Sequence, residues 1–263
     1  MIKEIRRHLH LLWLLQTYTW KTAMAYRMQY LFWFLNYVLQ VIMTFIFITI
    51  IYQVSNGIGG WSYPQMLLLS ATTLIVIGMA KYFIDISWVS QGLMNGNFDT
   101  LLTKPMPDYL TFFTSTNSSG AFGGIISGIV LFAYAASQLS FNILNVVDFA
   151  VMISLGSVVA ILFVMVAIIG SYSFFKGGGW VNWMFNIISN ITKYPLSIYG
   201  IAGSLIFTFV IPIGFANYYP VEALSGKIST MEIAVLIVFS LTMIYLLSRT
   251  FNRLYKSYSS GMG

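Results

Sequence analysis

The chain contains six apolar stretches, each close to the length that a helix needs to cross a lipid bilayer. A transmembrane helix requires roughly 20 apolar residues to span about 30 Å of hydrocarbon. Because backbone polar groups must be paired within hydrocarbon, spans of this length are helical. The predicted spans cover residues 31–52, 65–88, 119–137, 149–172, 196–211 and 230–248. The sequence therefore predicts an all-α integral membrane protein with six transmembrane helices.

Basic residues are distributed unevenly about these spans. Of the 13 lysines and arginines, only Lys227 lies on one side of the predicted membrane, and Lys81 lies inside the second span. The others fall in segments that share the opposite side: Lys3, Arg6, Arg7, Lys21, Arg27, Lys104, Lys176, Lys193, Arg249, Arg253 and Lys256. Short loops rich in lysine and arginine remain cytoplasmic, so both termini are predicted to lie in the cytoplasm.

The composition excludes a soluble domain. Hydrophobic residues make up 58% of the chain and charged residues only 8%, too few charges for a water-facing surface. The net charge of +6 lies mostly at span ends, where it favours membrane lipids over nucleic acid as the anionic partner. We expect a single transmembrane domain over residues 1–263, with the spans in 31–250 and a cytoplasmic tail at 251–263.

Side chains for catalysis and metal binding are scarce. Cysteine is absent, and the only two histidines, His8 and His10, precede the first span. The predicted spans therefore contain no thiolate and no imidazole for catalysis or metal binding. An intramembrane aspartyl enzyme would need two facing carboxylates, whereas the spans contain only Asp85. We expect no catalytic residue, metal site or cofactor in this chain, and a membrane enzyme is disfavoured.

The first thirty residues have the pattern of an amphipathic helix. Polar side chains recur at helical spacing opposite an apolar face, which is typical of a helix lying in the membrane interface. The polar face carries Lys3, Arg7, His10, Thr17 and Lys21. Residues 1–30 are thus predicted to form an interfacial helix, which either only anchors the first span or also takes part in assembly.

The loop between the second and third spans predicts a short cytoplasmic helix. Asn97 can cap its N-terminus, Asp99 is favourable near the positive end of the helix dipole, and Pro105 ends it. The helix would present three apolar side chains, Phe98, Leu101 and Leu102. Such a cluster on an inner loop favours a protein partner.

Two further segments lie between the fourth and sixth spans. Three glycines at 177–179 predict a helix break, after which polar side chains at helical spacing predict a second interfacial helix. These side chains are Asn182, Asn186, Ser189 or Asn190, and Lys193. Residues 212–224, with Pro212, Tyr218, Tyr219 and Pro220, are too apolar for a free loop and too short to cross. They predict a re-entrant element in the outer leaflet.

Polar side chains inside the spans are few. Asn36, Gln40 and Thr44 lie on one face of the first span at steps of four, and they either bond a neighbouring helix or line a pathway. Lys81 and Asp85 lie four residues apart on one helical face of the second span. They are more simply a local pair, with the lysine extending to the interface, than residues with a role in transport. The surrounding phenylalanine, tyrosine and methionine favour an amphipathic cargo, such as a lipid, hydrophobic peptide or drug-like molecule.

Four runs resemble the transmembrane subunit of an ABC transporter of the exporter-type, type-2 permease class. They are residues 96–105, 193–199, 211–220 and 258–261, in the order expected on a six-span frame. The resemblance covers essentially the full length and is greatest with a family of bacterial permeases of largely unassigned substrate. It implies an exporter in the bacterial plasma membrane.

The resemblance also implies partners and roles. Such a permease pairs with a second permease, identical or paralogous, and with two copies of a separate cytosolic ATPase that binds ATP and magnesium. The inner loop would be the coupling helix that docks on the ATPase, although relatives usually carry more arginine where this chain has Thr100 and Lys104. Residues 1–30 would contain a connecting helix, and residues 212–224 an outer lid. The implied coupling residues are Gly92, Met94, Asn97, Phe98, Asp99, Leu101, Leu102, Lys104 and Pro105.

The lack of a means to supply energy within this chain also favours a permease that depends on a separate ATPase. The chain has no nucleotide-binding signature, and coupling to an ion gradient typically needs ionisable groups near mid-membrane. Work must therefore come from another chain. The alternative is a sensor, immunity or assembly subunit that uses the same fold without transport, since function does not follow from fold.

Overall fold

The structure is a computed structural model that describes residues 2–54, 57–95, 103–104, 111–112, 116, 118–175 and 179–257. Its helices are α1 (Ile2–Ala25), α2 (Arg27–Val54), α3 (Tyr63–Phe83), α4 (Ile86–Met94), α5 (Phe122–Ala136), α6 (Ile143–Phe175), α7 (Gly179–Ile191), α8 (Gly200–Leu205), α9 (Tyr218–Leu224) and α10 (Thr230–Ser257). The prediction of an all-α protein is confirmed.

Five helical stretches in the described part of the chain are long and apolar enough to cross a membrane. They are Arg27–Val54, Tyr63–Val89, Ser119–Ala136, Ile143–Ser171 and Thr230–Lys256. These stretches correspond to the first, second, third, fourth and sixth predicted spans. The chain is therefore a multi-pass integral membrane protein.

The N-terminal segment is a separate helix, α1, ahead of the first span. Its Gln16 Oε1 accepts a hydrogen bond from Tyr82 Oη at 2.5 Å, close to the end of α3. Its Trp20 ring packs edge-on against Phe122 at the start of α5, with ring centroids 5.1 Å apart. α1 thus lies at the end of the bundle where α3 ends and α5 begins, which fits an interfacial helix.

The second predicted span is interrupted near its end. α3 ends at Phe83, and Asp85 then caps α4, its Oδ1 accepting a hydrogen bond from the backbone N–H of Trp88 at 3.1 Å. Lys81 and Asp85 therefore belong to different helices. The prediction that they share one helical face is wrong, because the carboxylate serves the start of a new helix.

The fifth predicted span, 196–211, is not a regular crossing helix. It consists of a 3₁₀ turn at Leu196–Tyr199, the six-residue helix α8, and a π-helical turn at Ile206–Val210. Leu196–Val210 is apolar but shorter than the roughly 20 residues that a crossing needs.

Contacts at both ends show that this segment starts a hairpin, residues 196–224, that turns back inside the bundle. Ser197 Oγ donates to Gly59 O (3.4 Å) in the α2–α3 loop, and Lys227 Nζ donates to Gly60 O (3.4 Å) just after the hairpin. Between these points the chain enters the bundle, where a Cβ added to Gly156 of α6 would lie only 1.8 Å from Phe215 O. The hairpin is thus longer than the predicted re-entrant element, 212–224, and its place in the outer leaflet stays a prediction. Composition could not separate a turning segment from a crossing one, because both are apolar.

Helix α7 enters the bundle and is not confined to the interface. Near its start, Asn182 Oδ1 accepts a hydrogen bond from Ser87 Oγ at 3.2 Å. Just past its end, the carbonyl of Thr192 accepts one at 3.0 Å from Thr73 Oγ1, halfway along α3. Contact with the middle of α3 does not fit the predicted interfacial helix, and its polar stripe, in which Asn186 and Asn190 are exposed, borders cavities shared with α2 and α3. Lys193, predicted as part of the same stripe, borders these cavities as well.

The tightest helix pair joins α3 and α5 along a stripe of glycines, here called the glycine seam. A Cβ on Gly128 would lie 3.0 Å from the backbone O of Ala71, and one on Gly78 would lie 3.0 Å from the backbone N of Ile125. Small residues allow close backbone approach between membrane helices, where burial of apolar surface from water gives little driving force. The glycine seam therefore holds α3 firmly against α5.

Candidate functional site

A continuous cleft runs along one face of α2, opposite α3 and α7. It comprises three cavities: an inner one of about 470 Å³, a narrow neck of about 110 Å³ and an outer one of about 600 Å³. Inner and outer refer to the predicted cytoplasmic and external ends. Neighbouring cavities share walls, with Tyr37 and Lys81 lining both the inner cavity and the neck, and Gln40 and Lys193 lining both the neck and the outer cavity. The three cavities therefore form one cleft that is smallest at the neck.

The inner cavity has a mixed lining. Its polar side chains include Asn36 of α2, Lys81 and Asp85 of the α3–α4 region, and Asn182 and Asn186 of α7, and its apolar wall includes Trp33, Ile84, Ile86 and Phe185. The ammonium of Lys81 lies 5.6 Å from the centroid of the Phe185 ring, a cation–π contact across the cleft.

The neck has a polar lining from all three helices. Lys193 Nζ donates to Asn190 Oδ1 at 3.0 Å. Ser70 Oγ is buried and has no hydrogen-bond partner in the described structure, although Ser70 lines both the neck and the outer cavity. The other polar side chains of the neck are Tyr37, Gln40, Thr44, Thr73, Lys81, Asn186 and Ser189.

The outer cavity is mainly apolar. Beyond Gln40 and Thr44, α2 contributes apolar side chains to its wall, and Met66 of α3 lies opposite. The α2 side chains are Met43, Ile46, Phe47, Ile48, Ile50 and Ile51. The outer cavity is thus less polar than the neck and the inner cavity.

A buried junction behind the neck fixes the broken fifth region. Asn217, at the turn of the hairpin, donates from Nδ2 to Thr73 Oγ1 at 2.7 Å and to the carbonyl of Thr192 at 2.5 Å. All three residues are buried. One amide therefore connects α3, the end of α7 and the hairpin, and it satisfies a carbonyl that α7 leaves unpaired at its end.

The outer end of the hairpin carries a second charged cluster. Lys227 Nζ lies 4.3 Å from the Trp61 ring centroid. Partial burial lowers the pKa of Lys227, while attraction to Glu222 opposes the shift. Burial raises the pKa of Glu222, against a hydrogen bond from Tyr218 and attraction to Lys227. This cluster attaches the hairpin to the α2–α3 loop.

The structure brings together the three side chains predicted to line a pathway. Asn36 lies in the inner cavity, and Gln40 and Thr44 lie in the neck and the outer cavity. Neither Asn36 nor Gln40 has a hydrogen-bond partner within the described part of the chain. The role of the three side chains, bonding to a neighbouring helix or lining a pathway, stays a prediction.

The predicted coupling residues are only partly visible. Gly92 is buried in α4, Met94 is the last residue of that helix, and Lys104 is exposed. The rest lie outside the described residues: Asn97, Phe98, Asp99, Leu101, Leu102 and Pro105. The coupling helix stays a prediction.

The predicted residues of the re-entrant segment lie in the second half of the hairpin. Pro212 and Pro220 are buried, whereas Tyr218 and Tyr219 are half-buried. Tyr219 Oη is hydrogen-bonded to Thr208 Oγ1 at 3.0 Å, which joins the two limbs of the hairpin.

Sequence reasoning missed the α7 wall of the cleft and the role of Asn217. A signal for the α7 wall was present, since Asn182, Asn186 and Asn190 recur at steps of four, like the polar series on α2. Two such stripes in one membrane protein predict facing helices. Asn217 gave no comparable signal, because a single amide in an apolar segment has no periodicity.

Taken together, these features define a polytopic membrane protein with a polar cleft and an inserted hairpin. In the described residues, no cluster of three or more histidines or carboxylates could hold a metal ion. A family model described as ABC-2 family transporter protein matches residues 38–261, and the chain belongs to this family. No curated protein and no solved structure matches the chain. The protein is therefore a permease subunit of an ABC transporter, and its family implies pairing with a cytosolic ABC ATPase.

Proposed function

We propose that the cleft is one half of a translocation pathway that exports an amphipathic cargo. The observation that carries this proposal is the set of three adjoining cavities along α2, from an inner end of mixed polarity to a mainly apolar outer end. α2 is also the least buried of the five long helices. A second permease, identical or paralogous, covers the open side of the cleft, with two-fold pairing as the default geometry.

The proposed topology has six crossings in the bacterial plasma membrane, with both termini in the cytoplasm. The fifth crossing is made by α7 and residues 192–195, because α7 begins beside α4 and the hairpin begins beside the α2–α3 loop. This assignment replaces the predicted crossing at 196–211 and keeps the count at six.

The energy comes from two copies of a cytosolic ATPase that bind ATP and magnesium. Closure of the ATPases moves the loop at 92–107, and this loop is joined directly to α4 and α3. Because α3 carries one wall of the cleft and is held by the glycine seam, displacement at its end changes the cleft as a rigid-body movement. The same movement opens the pathway towards the outside.

The test uses the full chain isolated with the ATPase that co-purifies from native membranes. Replacing Phe98 and Leu102 by Asp is expected to reduce ATPase recovery by about tenfold or more, because two charges are buried at the docking face. Phe98→Leu with Leu102→Met keeps the face apolar and is the matched control. Unchanged ATPase recovery and transport in the Asp variant would refute the coupling role.

Orientation is tested separately, since the natural chain has no cysteine. Asp99→Cys should resist an impermeant thiol reagent added outside intact cells, whereas Lys227→Cys should react. Labelling of Asp99→Cys from outside would invert the topology and end the proposal.

A further inference from the structure

The neck contains two lysines inside the bundle. Lys81 comes from α3 and Lys193 from the residues just after α7, and both line the same cavity of about 110 Å³. Lys81 contacts the Phe185 ring and Lys193 bonds an uncharged amide, Asn190. A charged side chain is costly within a membrane unless it is paired, and it usually marks a functional position.

The carboxylates among the described residues of the cleft do not balance the positive charges of the two lysines. Among the described residues that line the neck there is no carboxylate. Asp85 lines the adjoining inner cavity with Lys81 and attracts it, but one oxygen of Asp85 is engaged in capping α4. Among the described residues, the cleft thus holds two cations and a single anion, which leaves an excess of positive charge at the neck.

The remaining polar groups of the neck add hydrogen-bond donors. Gln40 and Asn186 carry amide N–H groups, and neither makes a hydrogen bond in the described structure. Ser70 presents a buried hydroxyl without a partner. Ammonium, amide and hydroxyl donors around one small cavity suit the oxygens of a phosphate, sulphate or carboxylate.

The space next to the neck is large and apolar. The outer cavity, about 600 Å³, is lined by Met43, Ile46, Phe47 and Ile50 of α2. A hydrocarbon chain attached to an anionic head group held at the neck would lie against these side chains. The two adjoining environments therefore match the two parts of one ligand.

We propose that the neck is an anion-recognition site that selects an amphiphile with an anionic head group and an apolar tail. This inference rests on the proposed function, because it narrows the cargo of the same cleft to an anionic class. Lys81 and Lys193 bind the head group, and the outer cavity holds the tail. The competing explanation is structural, with Lys193 stabilising the C-terminal end of α7 and Lys81 extending towards the interface.

The experiment measures lipid binding to the full chain with its ATPase in nanodiscs of phosphatidylcholine. Fluorescent phosphatidylglycerol and phosphatidylcholine with identical acyl chains are titrated. We expect phosphatidylglycerol to bind about tenfold tighter, and Lys81→Gln with Lys193→Gln to remove this preference, since charge-assisted hydrogen bonds are lost. Lys227→Gln, at the outer end of the hairpin, is the matched control and should keep the preference.

A second arm separates a lipid head group from a free anion. Inorganic phosphate at millimolar concentration should compete weakly if the tail contributes to binding. Full displacement by inorganic phosphate, lost in the double variant, would keep the anion site and assign it to a soluble ligand. Equal binding of the two lipids by the natural chain would overturn the proposal without reference to any variant.

Two checks make the result interpretable. Lys81→Arg with Lys193→Arg keeps both charges and should retain the preference for phosphatidylglycerol. If the lysines had only a structural role, their replacement would change folding and would not change the preference between the two lipids. ATPase recovery and ATP-driven transport are measured on the same samples. A preference for anionic lipid without ATP-driven transport would refute the proposed function but not the anion-recognition site at the neck. Transport without any preference would refute the anion-recognition site alone.

Discussion

The two sides of α3 differ in how closely they are packed and in whether nearby polar groups are hydrogen-bonded. On one side the glycine seam brings α3 within backbone contact of α5, with no room for a side chain at Gly128. On the other side α3 faces a cleft in which Gln40 and Ser70 lack partners in the described structure. A helix fixed on one face can border open space on the other. The close packing of α3 thus lies on the side that contacts α5, and the unpaired polar groups lie on the side that borders the cleft.

The largest expected difference between the two sides is access to water. Asn186→Cys places a thiol in the inner cavity, whereas Ser127→Cys places one in a buried position on α5. Because a thiol must reach solvent to react as thiolate, Asn186→Cys should react with a water-soluble reagent at least about tenfold faster. Similar rates at the two positions, measured on the purified chain, would remove the distinction between cleft and packed side.

The next largest effect is expected where the hairpin meets α6. Gly156→Ala would place a methyl group 1.8 Å from Phe215 O, which is a backbone atom that cannot rotate away. We expect a loss of about 3 kcal/mol in the free energy of unfolding, the upper end for an overpacked site.

Gly170→Ala on the same helix is the control for this change. Its new methyl group would meet only Leu254 Cδ1, at 3.8 Å. Thermal unfolding followed by size-exclusion chromatography should separate the two variants clearly. Equal midpoints would show that the turn of the hairpin does not rest on α6.

A smaller loss is expected at the junction behind the neck. Asn217→Ala removes two buried hydrogen bonds, to Thr73 Oγ1 and to the carbonyl of Thr192, which keeps its bond from Thr73. We expect the fold to lose about 2 kcal/mol, about 1 kcal/mol for each bond. Asn145→Ala removes a longer contact, 3.4 Å to Leu224 O, and should cost less. If Asn145→Ala proved the more damaging change, the hairpin would not depend on the buried junction.

The smallest effect concerns pH at the outer end of the hairpin. Burial raises the folded-state pKa of Glu222, so its contribution to stability is complete below the ordinary carboxyl pKa and is lost as pH rises through the raised value. The free energy of unfolding should therefore fall over this window, by about 1 kcal/mol or less. Glu222→Gln should remove this dependence while Asp148→Asn retains it; a dependence unaltered by Glu222→Gln would exclude this carboxylate as its source.

Much of the fold could be predicted because membrane insertion depends on local composition. The five long helices follow from runs of apolar residues, and the interfacial position of α1 follows from its amphipathic pattern. The breaks were harder, since the interruption at Ile84 and Asp85 depends on a carboxylate capping a second helix. Half of the candidate site was predicted. The series of polar side chains on α2 was identified, whereas the facing polar series on α7 was assigned to an interfacial helix.

The sequence alone determined that this chain crosses a membrane several times and that one face of its first span is polar. Both conclusions depend on which residues are near each other along a helix, and hydrocarbon allows few alternatives to a helix. Only the tertiary structure decided that residues 196–224 turn back inside the bundle and that Lys81 and Lys193 meet at one constriction. These features arise from contacts between distant segments, such as Asn217 with Thr73, which no local pattern specifies.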